Sequence, residues 1–116
     1  IEGFATLVYH LFPNVSVSVL SKHTSVTVIE PLSPSRTQMF SYYIKHRAKN
    51  GTKISHEEAL RDVGFVNQSG QEEDRAAARD IQETVTTSAN SHLTFGYFEK
   101  AIVTFHQQLQ SELGET

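Results

Sequence analysis

Between Phe4 and His46 the apolar and polar residues alternate with a period of two, the spacing of strands that are covered on one side. In NVSVSVL (14–20) Val15, Val17 and Val19 share one face while Ser16 and Ser18 take the other, and SVTVIE (25–30) and MFSYYIKH (39–46) repeat the pattern. FPN at 12–14, LSKHT at 20–24 and PLSPS at 31–35 interrupt it with the Pro, Asn and Ser signals of turns. Three or four antiparallel strands in a meander are expected, half-buried, with one face of the sheet on helices.

After AKNGTK (48–53), a polar loop containing Gly, the period lengthens to about 3.6. Ser55 with Glu58 forms a capping-box signature and opens a short helix through HEEALRDV. Ser69 with Glu72 repeats that signature and predicts a second helix, with Asp74 inside it rather than at its cap. A last helix is expected from about Tyr97 to Leu113. There Phe98, Ile102, Phe105, Leu109 and Leu113 form a stripe opposite Glu99, Gln107 and Glu112, and the helix should pack on the sheet.

The second helix carries an anomaly. At roughly 100° per residue Ala78, Ile81 and Val85 fall on one face with Asp74 at its centre, while Glu72, Arg79 and Glu83 point away. An ionised carboxylate turned toward a core costs several kcal/mol unless it is paired, hydrogen-bonded or bound to a metal. Asp74 therefore needs a partner. Arg75, an Arg from the sheet or a Tyr hydroxyl would serve structurally, and a metal would serve chemically.

Composition narrows the classes of function. At 116 residues the chain has room for one modest core. It opens on Ile1 with strand-like sequence and no basic leader, apolar h-region or cleavage site, which reads as a piece cut from a longer protein. A formal charge of −3 with scattered Lys and Arg gives no basic stripe for nucleic acid and no attraction to membranes, and no apolar run approaches the ~20 residues that cross a bilayer. With no cysteine, disulfides, thiolate metal sites and a Cys nucleophile within these residues are excluded, and a cytoplasmic setting fits.

The six histidines, at 10, 23, 46, 56, 92 and 106, never fall three to five apart, so no local metal pair exists. HEE at 56–58 lacks the second His of a zinc-protease helix and reads as a solvated first turn. His23, in a turn, and His46, at a strand end, are expected at the surface; His10 and His106 are expected to be partly buried and structural. No phosphate loop, nucleophile elbow or Ser-x-x-Lys pattern occurs.

The order of four segments adds a resemblance that covers nearly the whole chain: YHLFPNVSVSVL, TVIEPLSPSRTQMFSYYI, EEDRAAARDIQETV and GYFEKAIVTFHQQL. Together they resemble the carboxyl-terminal half of the catalytic domain in the alpha (large) subunit of Rieske-type aromatic-ring-hydroxylating oxygenases. Where the family often continues Gln-x-Gly-Leu after the Asp helix, this chain reads QETVTTSAN.

The resemblance implies an α+β, START-like helix-grip fold in which an antiparallel sheet packs on a long carboxyl-terminal helix, present as a partial domain spanning residues 1–116. It implies that Asp74, placed eight residues before Gln82, is the carboxylate of a two-His-one-carboxylate site for Fe(II), the two histidines lying outside the chain. Val8, Ser18 and Phe65 are implied to wall the substrate cavity, with ordinary packing as the other reading of each. The whole enzyme would insert dioxygen into an aromatic or related apolar ring. Electrons would pass from NAD(P)H through a reductase, with or without a ferredoxin, and a [2Fe–2S] Rieske cluster in an amino-terminal domain. Trimers, or assembly with a small beta subunit, are implied as well, and the segment alone would be inactive. The competing expectation is a non-enzymatic helix-grip module that binds an apolar ligand, since one fold hosts many functions.

Overall fold

The computed structural model describes residues 5–47, 53–89, 92 and 94–114, with Gln71 through its backbone alone. The loop expected at 48–53 falls almost wholly outside the described residues, as does Phe4. Four strands, β1 (Leu7–Leu11), β2 (Val15–Val19), β3 (His23–Ser33) and β4 (Arg36–Lys45), form one antiparallel sheet in the order β1-β2-β3-β4. Each joins its sequence neighbour, so the meander is as expected, and the fold is α+β.

β3 runs further than its turn signals allow. Pro31, Leu32 and Ser33 were expected in a turn, yet they extend the strand, with Pro31 opposite Thr37 and a register shift between Pro31 and Ser33. A bulge accommodates proline in a strand because its missing N–H falls where the ladder is already interrupted. The turn shrinks to Pro34 and Ser35. At the FPN turn between β1 and β2 the Phe12–Pro13 bond is cis.

The ladder register assigns each side chain to a face. Leu7, Tyr9 and Leu11 lie opposite Val19, Val17 and Val15; these continue through Thr24, Val26 and Val28 to Ile44, Tyr42 and Phe40. The other face carries Val8, Ser16, Ser18, Ser25, Thr27, Ser41 and Tyr43. The helices sit on this second, hydroxyl-rich face: Asp62 and Asn67 reach His23 and Tyr43 there. Leu11, Tyr42 and Ile44 on the apolar face are more than half exposed.

Beyond the sheet, α1 (His56–Ser69) continues through one π turn, Gly70–Asp74, into α2 (Arg75–Thr86), and α3 (Lys100–Leu113) follows. The capping box at Ser55 is formed: the Glu58 N–H donates to Ser55 Oγ at 3.0 Å and the Ser55 N–H donates to Glu58 Oε2 at 3.1 Å. The second cap is not. Ser69 is helical (φ −56°, ψ −49°) with no side-chain cap, because the chain does not break there. One helical run with a bulge stands where two capped helices were expected.

α3 begins three residues later than expected. Tyr97 and Phe98 precede it in a turn, and Phe98 is 92 % exposed rather than part of the packed stripe. Phe105 and Leu109 are half-buried, and Phe105 sets its ring against His10 and Phe12 at centroid distances of 5.3 and 5.8 Å, at the β1–β2 end of the sheet. The Cα radius of gyration of 17.3 Å exceeds the ~13 Å typical of a closed domain of this length, so the helices leave the sheet open.

Candidate metal and substrate site

The buried core lies between α1 and the sheet and consists, among the described residues, of Ala59, Val63 and His23. His23 was expected at the surface and is instead 1 % exposed. Its place at the start of β3 sets the ring under α1, where Nδ1–H donates to Asp62 Oδ2 at 2.9 Å. Its Nε2 is buried without a partner among the described residues. Tyr43 Oη donates to Asn67 Oδ1 at 2.8 Å, one and a half turns further along α1. These two bonds set the helix across the hydroxyl face.

Four other histidines lie in different surroundings. His46 is half-buried and bonded through Nε2 to Thr24 Oγ1 at 2.8 Å, not free at the surface, and His56 lies exposed in the first helical turn as expected. His106 is half-buried, stacked on Phe95 at 5.3 Å; His10 is exposed apart from its contact with Phe105.

The π turn decides where Asp74 lies. Along an unbroken α-helix Phe65 and Asp74, nine residues apart, would project on opposite sides, about 180° apart. One turn that closes from the Arg75 N–H to the Gly70 carbonyl absorbs an extra residue and reduces that angle to about 80°. Both side chains then line one cavity of about 410 Å³ between the hydroxyl face and the helical run. Its wall also includes Ser18, Ser25, Thr27, Ser41 and Tyr43 from the sheet and Val66, Asn67 and Arg75 from the helices.

Asp74 is exposed, so the carboxylate does not face a core as the helical stripe implied; Ala78, Ile81 and Val85 are exposed too. It makes no hydrogen bond or ion pair among the described residues, and the pairing with Arg75 or a Tyr hydroxyl is not formed. Of the expected cavity residues, Ser18 and Phe65 join Asp74 in the wall. Val8 does not: it pairs with Ser18 across the β1–β2 ladder but lies outside the lining, 66 % exposed on the edge strand.

Sequence reasoning missed Ser25, Thr27, Ser41, Tyr43, Asn67 and Arg75. The alternation of Ser and Thr with Val and Tyr carried the signal for the sheet residues, but not which face the helices would cover. Among the described residues no group of three His, Cys, Asp or Glu side chains is placed to hold a metal. Asp74 offers a single oxygen-donor ligand with its acceptor sites free, a donor set that fits Fe(II) as one member of a shared site. A second cavity of about 790 Å³ between α2 and α3 is lined by Ile81, Val85, Phe95 and His106 and contains none of the expected site residues.

An open antiparallel sheet, a helical run bulged at a carboxylate with no partner among the described residues, and a cavity between them make up part of an α+β domain. Residues 2–115 match the family described as the ring hydroxylating alpha subunit (catalytic domain). The chain belongs to that family, whose members generally use iron and Rieske cofactors. None of the curated proteins or solved structures compared with the chain is similar enough to match it. No helix among the described residues is long and apolar enough to cross a membrane.

Proposed function

We propose that residues 1–116 form the carboxyl-terminal part of the catalytic domain of a Rieske-type ring-hydroxylating oxygenase, and that Asp74 is the carboxylate ligand of its mononuclear Fe(II). The observation that carries this reading is the carboxylate itself: without a partner among the described residues, aimed by a π turn into a cavity, in a chain of this family. π bulges recur at functional sites because they re-aim one side chain without breaking the helix. Two histidines from elsewhere in the protein would complete the facial set, and the iron would supply, when bound, the redox centre for dioxygen chemistry.

The residues of this chain have three tasks. Asp74 holds one coordination position. Ser18, Phe65 and the neighbouring sheet residues form the wall against which an aromatic or related ring rests; Val8 is a rim residue of the same sheet face. α1, held by His23–Asp62 and Tyr43–Asn67, keeps the bulge over that wall. Electrons would come from NAD(P)H through a reductase, with or without a ferredoxin, and a [2Fe–2S] Rieske cluster in an amino-terminal domain. A cytoplasmic trimer, with or without a small beta subunit, fits electron transfer between neighbouring subunits.

Family membership supports this reading over a non-enzymatic module that binds an apolar ligand. Replacing Asp74 with Ala in the full-length protein is expected to abolish mononuclear iron while leaving the Rieske absorbance and the unfolding midpoint unchanged. Undiminished non-Rieske iron in that variant overturns the assignment.

A further inference from the structure

The wall opposite Asp74 has a chemistry that the ring-hydroxylating reaction does not require. A sheet face beneath a helix is ordinarily apolar, and this chain has an apolar face to offer, the one built from Val15, Val17, Val26 and Phe40. The helical run lies across the other face, and the cavity is floored by the hydroxyls of Ser18, Ser25, Thr27, Ser41 and Tyr43. A bound ring that displaces water from these hydroxyls must replace the hydrogen bonds which that water made.

The described bonds use only part of that capacity. Thr27 Oγ1 and Ser41 Oγ lie 3.3 Å apart across β3 and β4, and either can donate to the other. One O–H therefore remains to donate into the cavity, together with unused lone pairs on both oxygens. Tyr43 spends its proton on Asn67 Oδ1, which leaves the Asn67 amide N–H groups as donors. Arg75 lines the same cavity beside Asp74 and forms no ion pair among the described residues, adding five N–H donors and a positive charge. Arg75 thus adds positive charge to a lining whose hydroxyls can both donate and accept, and the apolar members, Leu20, Met39, Phe65 and Val66, supply surfaces for a ring.

We infer that the substrate is an oxygen-substituted ring, with acceptor groups directed at Thr27, Ser41 and Asn67 and a negatively charged substituent near Arg75, rather than an unsubstituted aromatic hydrocarbon. Thr27 and Ser41 are the specificity-determining pair. A hydrocarbon would strip water from the hydroxyl floor and return nothing, whereas a hydroxylated or carboxylated ring replaces that water bond for bond. The inference rests on the assignment of Asp74 and its cavity as the reaction site.

The test uses the full-length, iron-loaded protein with 4-hydroxybenzoate, benzoate and toluene as probes and reads Kd by calorimetry. Both oxygenated rings are expected to bind at least 10-fold more tightly than toluene. A Thr27→Val, Ser41→Ala double variant should lower the 4-hydroxybenzoate-to-toluene preference about 10-fold at unchanged iron content, because the O–H that the pair donates into the cavity is lost, with the lone pairs beside it, at nearly unchanged volume. A single Arg75→Gln variant should weaken benzoate and 4-hydroxybenzoate alike. Toluene binding as tightly as the oxygenated rings, no binding of either oxygenated ring, or an unchanged preference in the double variant each overturns the inference. Such a result with iron still dependent on Asp74 removes only the substrate class; loss of the Asp74 dependence removes the site assignment beneath it.

Discussion

α1 and α2 are one continuous helix by backbone and two different objects by environment. α1 buries Ala59 and Val63, is capped at Ser55 and is bonded to the sheet through Asp62 and Asn67. α2 buries nothing, and its hydroxyl-bearing residues turn back on the helix itself, Thr84 Oγ1 donating to the Asp80 carbonyl at 2.8 Å. The π turn lies at the junction, and Asp74 is its last residue. A side chain at this point inherits rigidity from the anchored half and an open side from the free one, an arrangement that suits the role proposed for Asp74.

The largest expected effect breaks the junction itself. Inserting one Ala after Gly70 carries Asp74 round by about a further 100°, to the far side from Phe65, and should weaken iron binding about 10–100-fold, as loss of ligand orientation does elsewhere. Circular dichroism should show helix content retained. Iron affinity unaltered by the insertion would mean that the rotation of the helix at this junction does not aim the carboxylate.

The anchored half should also be the more sensitive to removal of its buried polar contact. His23→Ala empties the most buried position and strands the half-buried Asp62 carboxylate, at an expected cost of about 2–3 kcal/mol in urea unfolding. If the cost were below about 0.5 kcal/mol, the pair would not be what ties α1 to β3.

A pair of truncations sharpens the contrast between the halves. Val63→Ala on α1 should cost about 2 kcal/mol through lost burial, and Ile81→Ala on α2 less than about 0.5 kcal/mol in the isolated chain. Repeating Ile81→Ala in the full-length protein asks a further question: a cost approaching that of Val63→Ala there would show that another segment covers the apolar face of α2.

The smallest effect concerns the first turn of α1. Glu58 is held below the usual carboxylate range, first by the backbone N–H of Ser55 and then by the Ser55 side chain, with Lys22 and Arg61 adding attraction. The fold therefore favours its ionised form. That stabilisation is fully present above the pKa of Glu in the unfolded chain and is lost as pH falls through the lowered folded value. Amide exchange in the first turn of α1 should accelerate over that acid range in the native protein and stay level in Glu58→Gln. Ser55→Ala, which removes the cap at every pH, should cost about 1 kcal/mol.

Much of the fold was legible because local rules were obeyed. Alternation at 14–20, 25–30 and 39–46 fixed three strands, and Pro, Asn and Ser marked where two of the turns fall. The Ser55–Glu58 box is a contact between residues three apart, so sequence alone contains both partners. The Ser69–Glu72 pair reads the same and failed, because a capping signature inside a helix that packing keeps continuous has no free N–H groups to satisfy. The bulge has no simple local code, and uniform 100° spacing hid it.

The candidate site divides along the same line. Periodicity marked Asp74 as unusual, and the order of motifs implied roles for it, Ser18, Phe65 and Val8; the first three line one cavity, and Val8 lies on the same sheet face beyond it. Chain chemistry determined which residues can accept, donate, cap or stack, since those properties belong to each side chain and its near neighbours. Tertiary structure alone decided that α1 covers the hydroxyl face rather than the valine face, that His23 is the buried histidine, and that Asp74 meets Phe65 across one cavity. Each of these depends on bonds between residues 24 to 39 apart or on the rotation contributed by a single inserted residue, and neither quantity is written in any local stretch of the chain.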